Sequence, residues 1–275
     1  MTAKELFIFE DTMRTPHHHP YSLDTSWSAG AVLLGAGQGE RLGHGPKALI
    51  ELGGKTLLLH ALEAMASNQM VSAIAVTAPT DMQYAFEEIV SSANLSVPVL
   101  VVPGGATRQA STHAGITALA ADLEWLAVTD IARPFTPHGT VDQLLDHLRR
   151  TAERSEGRVR PCGVVPVLPL VDSLHLAAEK SLLAEPFDRD RLWAAQTPQV
   201  YHRECLSSAF EVALDKGATH TDEAGMVNST GATVITTSGN ASNFKITFEH
   251  DLMLARAVHA YSQTESIHQP QEHAL

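Results

Sequence analysis

Short apolar runs alternate with segments of helical period along most of this 275-residue chain, and that rhythm restricts the fold more than any other feature. The runs fall at residues 31–34, 73–77, 97–102, 125–129, 163–167 and 233–236. Between them lie helical patterns at 56–66, where Leu58, Leu62 and Met65 share a face, and at 81–91, where Ala85, Phe86, Ile89 and Val90 do. Further helical patterns cover 108–119, 141–150, 203–214 and 250–261. Strand-then-helix alternation of this kind predicts an α/β fold, with a mostly parallel sheet covered by helices on both faces. Ligands of such sheets bind beyond the carboxyl ends of the strands. Three chemically distinctive segments stand just there: the loop after the run 31–34, Gly104-Gly105, and Asp130.

The first of them reads Gly35-Ala36-Gly37-Gln38-Gly39-Glu40-Arg41-Leu42-Gly43-His44-Gly45-Pro46-Lys47. Glycines let backbone N–H groups approach phosphates closely, and Arg41 and Lys47 add positive charge at two separated points. Neither common glycine-loop pattern applies. A dinucleotide fingerprint starting at Gly37 needs a third glycine where Leu42 stands, and a P-loop ending at Gly54-Lys55-Thr56 needs one where Leu49 stands. The remaining G-x-G-x-R…P-K pattern resembles those of sugar-nucleotide pyrophosphorylases and nucleotidylyltransferases.

Bulk composition narrows the partners. The formal charge of −12 argues against a general nucleic-acid surface, while a small anionic substrate needs only a local basic cluster. No apolar run has the length of a membrane span, and Glu5, Glu10 and Asp11 confine the N-terminal apolar run to residues 6–9, so no signal peptide is expected. Cys162 and Cys205 have neither metal-ligand spacing nor a disulfide framework, which suits a reducing cytosol. Residues 1–27, with His17-His18-His19 between prolines, read as a flexible extension, and 263–275 as a loose C-terminal tail. The segment 168–198 breaks the rhythm with Pro169, Pro186 and Pro198 and reads as a long loop or extended arm.

Further motifs follow in order: Gly104-Gly105-Ala106-Thr107-Arg108 with Ser111, then Thr129-Asp130-Ile131-Ala132-Arg133-Pro134, then Asp172-Ser173 and Asp188-Arg189 in the arm. Thr197-Pro198-Gln199, Thr221-Asp222-Glu223-Ala224 and Asn243-Phe244-Lys245 complete the set. Together, over residues 28–262, they resemble the 2-C-methyl-D-erythritol 4-phosphate cytidylyltransferase family. That resemblance implies a Rossmann-like nucleotidyltransferase domain with an extended β-arm for dimerisation. It also implies cytidylyl transfer from CTP to methylerythritol phosphate, in a cytoplasmic homodimer acting in the non-mevalonate isoprenoid pathway. By the same resemblance Arg41, Lys47 and Lys245 are catalytic, and Asp130 holds Mg2+ or another divalent cation. Gly35, Ala36, Gly37, Gly39, Gly105 and Ser111 meet the nucleotide, and Arg133, Ser173, Arg189 and Thr221 meet the acceptor. An alditol phosphate such as ribitol 5-phosphate is the alternative acceptor, and a non-catalytic nucleotide-binding homologue the alternative class.

Several positions depart from the pattern that the resemblance implies. Thr129 stands where His is usual and Ile131 where Ala is usual, so Ile131 is expected to crowd the pocket beside Asp130. Gly35 replaces a common Ala, His175 a Lys, and Ala241-Ser242 an acidic residue that can be a second metal ligand. Arg108, Arg150 and Arg191 read as solvated surface charges, Asp130 also suits a helix N-cap, and His60, His113 and His147 lie within helical patterns without forming a metal triad.

Overall fold

The computed structural model describes residues 27–37, 39, 45–156, 158–177 and 183–268. The histidine tract and Arg41 lie outside those residues. Strand β1 (Ala29–Leu34) leads through the glycine loop and a short hairpin, β2 (Glu51–Leu52) and β3 (Lys55–Thr56), into α1 (Leu57–Ala66). Then come β4 (Val71–Ala78), α2 (Gln83–Ser92), β5 (Val99–Pro103), α3 (Arg108–Ala118), β6 (Trp125–Asp130), α4 (Thr140–Arg154) and β7 (Gly163–Pro169). The arm holds β8 (Leu174–Ala177) and β9 (Leu183–Phe187). The chain returns through β10 (Trp193–Ala195) and β11 (Gln199–His202) and ends with α5 (Arg203–Asp215), α6 (Glu223–Ser229), β12 (Val234–Ser238) and α7 (Glu249–His268).

In the eight-stranded main sheet β4 and β6 flank β1, β5 lies outside β4, and β11 joins β6 to β7, with β10 and β12 also on β7. The strands β5, β4, β1 and β6 are parallel, whereas β11 runs antiparallel to β6 and β7. The chain therefore steps outward from β1 to β5 and returns to the other side of β1, creating the switch point at which α/β sheets bind ligands. Register sharpens this placement. Leu34 pairs with Asp130, so the carboxylate stands level with the last residue before the glycine loop.

Alternation along the strands divides the core between two faces. Ala31 and Leu33 of β1 and Trp125 and Ala127 of β6 pack with α1, α2, α4 and α7, through side chains such as Leu62, Phe86, Leu145 and Leu252. Val32, Leu126 and Val128 face α3, α5 and α6, through Ile116, Leu206, Phe210 and Val227. Each fully buried large side chain of this kind contributes about 1.5–3 kcal/mol. Thr56, Thr107 and Asp222 cap α1, α3 and α6 by accepting from the N–H groups of Leu59, Ala110 and Gly225.

The expected strands and helices appear, with four differences. First, β2, β3, β10, β11 and α6 were not anticipated. Gln199–His202 is too short and too close to Pro198 to read as an interior strand, yet all four residues are buried. Second, β7 continues to Pro169 and β10 already pairs back onto it, so within the segment 168–198 residues 170–192 leave the main sheet. Within the arm β8 and β9 form their own antiparallel pair. Third, α7 runs on to His268, since the polar residues after Tyr261 lack apolar period but include no helix breaker before Pro270. Fourth, Cys162 and Cys205 are joined by a disulfide, their Cα atoms 5.9 Å apart. The expectation of unpaired cysteines is corrected: β11 pairs with β7, and α5 follows β11 directly, so Cys205 is carried back onto Cys162. With the pair bonded, cysteine usage no longer argues for a reducing compartment.

One buried amide fastens the helix layer beneath the site. Asn68, 3 % exposed, donates from Nδ2 to the carbonyls of Ala64 and Met65 at 2.8 and 3.1 Å, and its Oδ1 accepts from Val141 and Asp142 N–H at 2.7 and 3.3 Å. It joins the end of α1 to the start of α4 with its hydrogen-bonding capacity fully used. Asn68→Ala is expected to cost about 2–4 kcal/mol, because two N–H donors lose their acceptor in a dry setting. Urea unfolding monitored by circular dichroism measures that loss.

Candidate active site

Beyond the carboxyl ends of β1 and β6 lies a cavity of about 630 Å³ lined by Leu34, Gly35, Ala36, Gly37, Gly39, Lys47, Ala48, Gly105, Ala106, Thr107, Arg108, Ser111, Asp130, Ile131, Ala132 and Lys245. Local sequence explains how the glycine loop reaches it. Gly35 N–H donates to the Thr77 carbonyl at 3.0 Å, which holds the loop's first residue against the end of β4. Gly39 adopts φ +69°, and a Cβ there would collide with the Gly45 carbonyl. The loop therefore turns back tightly enough to bring Lys47 to the cavity wall. Ser111 shapes the opposite wall: its hydroxyl accepts from Gly105 N–H at 3.1 Å and donates to the Thr107 carbonyl at 3.0 Å.

Charge concentrates at Asp130. Its Oδ2 lies 2.7 Å from Lys245 Nζ and 4.0 Å from Arg133 Nε, and its Oδ1 lies 3.5 Å from Arg108 Nε. Burial pushes the carboxyl's pKa up, but Lys245, Arg108 and Arg133 outweigh burial and hold it below the ordinary value. The side chain is thus engaged by cations rather than by helix N–H groups, and the Asp130 N–H donates to Thr197 Oγ1 at 3.0 Å. Among the described residues no group of three or more His, Cys, Asp or Glu side chains is arranged to hold a metal. Ser242, where a second acid was looked for, is exposed, with its N–H on Asn240 Oδ1. Among the described lining residues Asp130 is thus the acidic one, a hard oxygen donor surrounded by positive charge.

The C-terminal loop that carries Lys245 is fastened on both sides. Lys47 Nζ donates to the carbonyls of Ile246 and Thr247 at 2.9 and 3.3 Å. Arg133, almost fully buried, donates from Nη1 to the Asn243 carbonyl at 2.6 Å, and Gln196 Nε2 donates to the carbonyls of Asn240 and Asn243. Burial lowers the Arg133 pKa, partly offset by Asp130.

The structure thus gathers nine expected site residues around one cavity: Gly35, Ala36, Gly37, Gly39, Lys47, Gly105, Ser111, Asp130 and Lys245. Arg133 lies behind Asp130 and outside the lining. Ser173, Arg189 and Thr221 are exposed and away from it, and Arg189 donates to the Val171 carbonyl within the arm. Arg108 needs correction. Far from being a solvated surface charge, it lines the cavity and pairs with Asp130 and with Glu223 at 2.7 Å. Its position one turn into the segment after Gly104-Gly105 was the available signal. Glu223 gave none, because α6 was not foreseen.

Comparison with known proteins follows the same line. A profile of the family described as 2-C-methyl-D-erythritol 4-phosphate cytidylyltransferase matches residues 30–260. The chain belongs to that family. A Streptomyces avermitilis protein of that name is 38% identical over 237 residues, covering 83% of this chain and 90% of the relative. A Haemophilus influenzae protein of the same name is 33% identical, covering 82% and 93%. The crystal structure of the Thermus thermophilus enzyme of that name superposes with a TM-score of 0.63 at 31% identity, covering 84% of this chain and 98% of that one.

Gly35 and Ile131 meet in space. A Cβ on Gly35 would lie 2.7 Å from Ile131 Cδ1 and 2.8 Å from both Phe86 Cε1 and the Thr77 carbonyl oxygen. Ile131, the residue after β6, thus shares with Phe86 and the Thr77 carbonyl the space that a side chain at position 35 would take, and it lines the cavity. Gly35→Ala is expected to destabilise by about 1–3 kcal/mol. Part of that loss should return in the Ile131→Ala background, a coupling of about 0.5 kcal/mol or more in a double-mutant cycle. A second prediction concerns charge. A lowered carboxyl pKa contributes stability above the unfolded value near 3.9 that is lost as pH falls through the folded value. Asp130→Asn is expected to cost about 3 kcal/mol at pH 7, and its thermal midpoint should converge on that of the wild type as pH falls below about 4.

Proposed function

We propose that this chain transfers a cytidylyl group from CTP to 2-C-methyl-D-erythritol 4-phosphate in the cavity beyond β1 and β6. The observation that carries the reading is the grouping of Lys47, Lys245 and Arg108 with one anionic carboxylate, Asp130, against a glycine-rich backbone. Nucleotidyl transfer asks mainly for positioning and for neutralisation of negative charge that develops on the phosphorus oxygens. An oxygen of the acceptor's phosphate attacks the α-phosphorus of CTP. As that bond forms, the bond from the α-phosphorus to the bridging oxygen breaks, and pyrophosphate departs with the electron pair.

Lys47 and Lys245, joined through the 246–247 backbone, supply fixed positive charge for that step, and Arg41 is assigned to the same work on the resemblance alone. The backbone at Gly35, Ala36, Gly37, Gly39 and Gly105, with Ser111, shapes the nucleotide's berth. Asp130 fits as one protein ligand for a divalent cation such as Mg2+, whose other ligands would be phosphate oxygens and water. When bound, such an ion would neutralise phosphate charge. Asp130 already sits among three cations, so the ion is best received together with the anionic triphosphate.

Ser173, Arg189 and Thr221 are assigned to the acceptor. A homodimer whose arms complete neighbouring sites accounts for the distance of Ser173 and Arg189 from the cavity, and Val171 and Trp193, 82 % and 57 % exposed, are apolar groups that a partner would cover. No helix of the described residues is long and apolar enough to cross a membrane, in keeping with work on small soluble phosphates in the cytoplasm.

Lys47→Ala and Lys245→Ala are each expected to lower turnover at least about tenfold, since a charge aimed at the transition state is worth a few kcal/mol; Lys47→Ala should leave thermal stability little changed, whereas Lys245→Ala should also lower it, because buried Asp130 loses its nearest cation. Pyrophosphate release with CTP and Mg2+ checks this against methylerythritol, ribitol and sugar phosphates. Release with methylerythritol phosphate alone supports the assignment, whereas release only with ribitol phosphate replaces the acceptor.

A further inference from the structure

Glu223 opens α6 and is 2 % exposed, and the transfer step as written gives it no task. Its Oε1 and Oε2 accept from Arg108 Nη1 at 2.7 and 2.8 Å, and Oε1 also accepts from Thr112 Oγ1 at 2.8 Å. Thr112 lies one turn along α3 from Arg108, so a single carboxylate braces both residues against the start of α6. On its other side Arg108 presents Nε to Asp130 Oδ1 at 3.5 Å. Two of the three guanidinium nitrogens are thus engaged, while Nη2 makes no hydrogen bond with any described residue, and the group lines the cavity at 29% side-chain exposure.

A buried acid beside an anion-binding cavity is costly unless it performs a task, since its charge opposes the ligand's. Without Glu223 the nearest acid to Arg108 is Asp130. The guanidinium would then settle wholly on Asp130 and compete with whatever that carboxylate binds. With Glu223 holding Nη1, the planar fork is fixed in one orientation, and the rotamer entropy of a long side chain is lost on folding rather than on binding.

We propose that Glu223 is a positioning residue that clamps Arg108 so that its Nη2 meets a phosphate oxygen of the bound nucleoside triphosphate. This rests on the proposed cytidylyl transfer. The clamp links the nucleotide's berth on α3 to the Thr221-Asp222-Glu223 segment, whose Thr221 is assigned to the acceptor, so one short helix start serves both substrates.

The test is calorimetric binding of CTP with Mg2+ to wild type, Glu223→Gln, Arg108→Met and the double variant, alongside kinetics with each substrate varied. Glu223→Gln should weaken CTP binding about tenfold or more, the range for losing a charge-assisted hydrogen bond. The KM of the acceptor should move less than about twofold. In the Arg108→Met background the same change should add nothing further. Unaltered CTP binding in Glu223→Gln, or effects that multiply in the double variant, would overturn the clamp. Should Glu223→Gln fold poorly, Thr112→Val removes one brace and should weaken CTP binding about threefold without change in melting; an unaltered affinity there also counts against the clamp. Wild-type protein that binds CTP but releases no pyrophosphate with any acceptor defeats the transfer reading while leaving the clamp intact.

Discussion

The contact on which the rest of the site depends is the ion pair between Asp130, at the end of β6, and Lys245, in the loop before α7. The two residues are 115 positions apart in sequence and their charged atoms 2.7 Å apart. A carboxylate with so little solvent access survives as an anion only if opposite charge reaches it. Lys245, Arg108 and Arg133 do so from three segments, and each must be held in place by something else. Arg133 is held by the Asn243 carbonyl, Arg108 by Glu223, and Lys245 by a loop whose carbonyls receive Lys47. One buried charge thus dictates the arrangement of the glycine loop, the start of α3, the end of β6 and the C-terminal loop.

That arrangement explains why one cavity has both a rigid and an exchangeable face. Among the described residues of the glycine loop, Gly35 follows directly from the β1 register and Gly39 makes a left-handed turn. The cations, by contrast, already have protein partners. A triphosphate bound as proposed would compete with carbonyls for Lys47 and with Asp130 for Lys245. Such competition would lower ground-state affinity and leave more of the electrostatic gain for charge that appears during transfer.

Much of the fold was legible in the sequence because the signal was local. Six apolar runs and six helical patterns are each set by neighbours a few residues apart, and their alternation implies the parallel sheet. The unforeseen parts depend on distant contacts. β11 is buried by its place between β6 and β7, which no four-residue pattern encodes. The Cys162–Cys205 bond follows from that same pairing. Arg108 reads as an ordinary surface charge until α6 puts Glu223 beside it. The site residues that were legible, such as Gly35, Gly39, Lys47 and Asp130, lie just after strands, where fold type alone predicts a ligand. Ser173 and Arg189 stand in the arm, and a single chain does not bring them to the cavity.

The departures from the family pattern gain meaning only in three dimensions. Taken separately, a larger side chain at Ile131 suggests a crowded pocket and a missing one at Gly35 suggests a loosened loop. The two positions face each other, so the Ile131 side chain, just after β6, packs where a Cβ at position 35 would stand. Thr129 likewise turns into the buried layer, where its hydroxyl meets that of Thr197 rather than the cavity. Close-packed interiors tolerate exchange of volume between neighbours far better than its net gain or loss. The wall beside Asp130 is therefore built jointly by the bare backbone at Gly35 and the Ile131 side chain, and Lys47, after the glycine loop, reaches the 246–247 backbone.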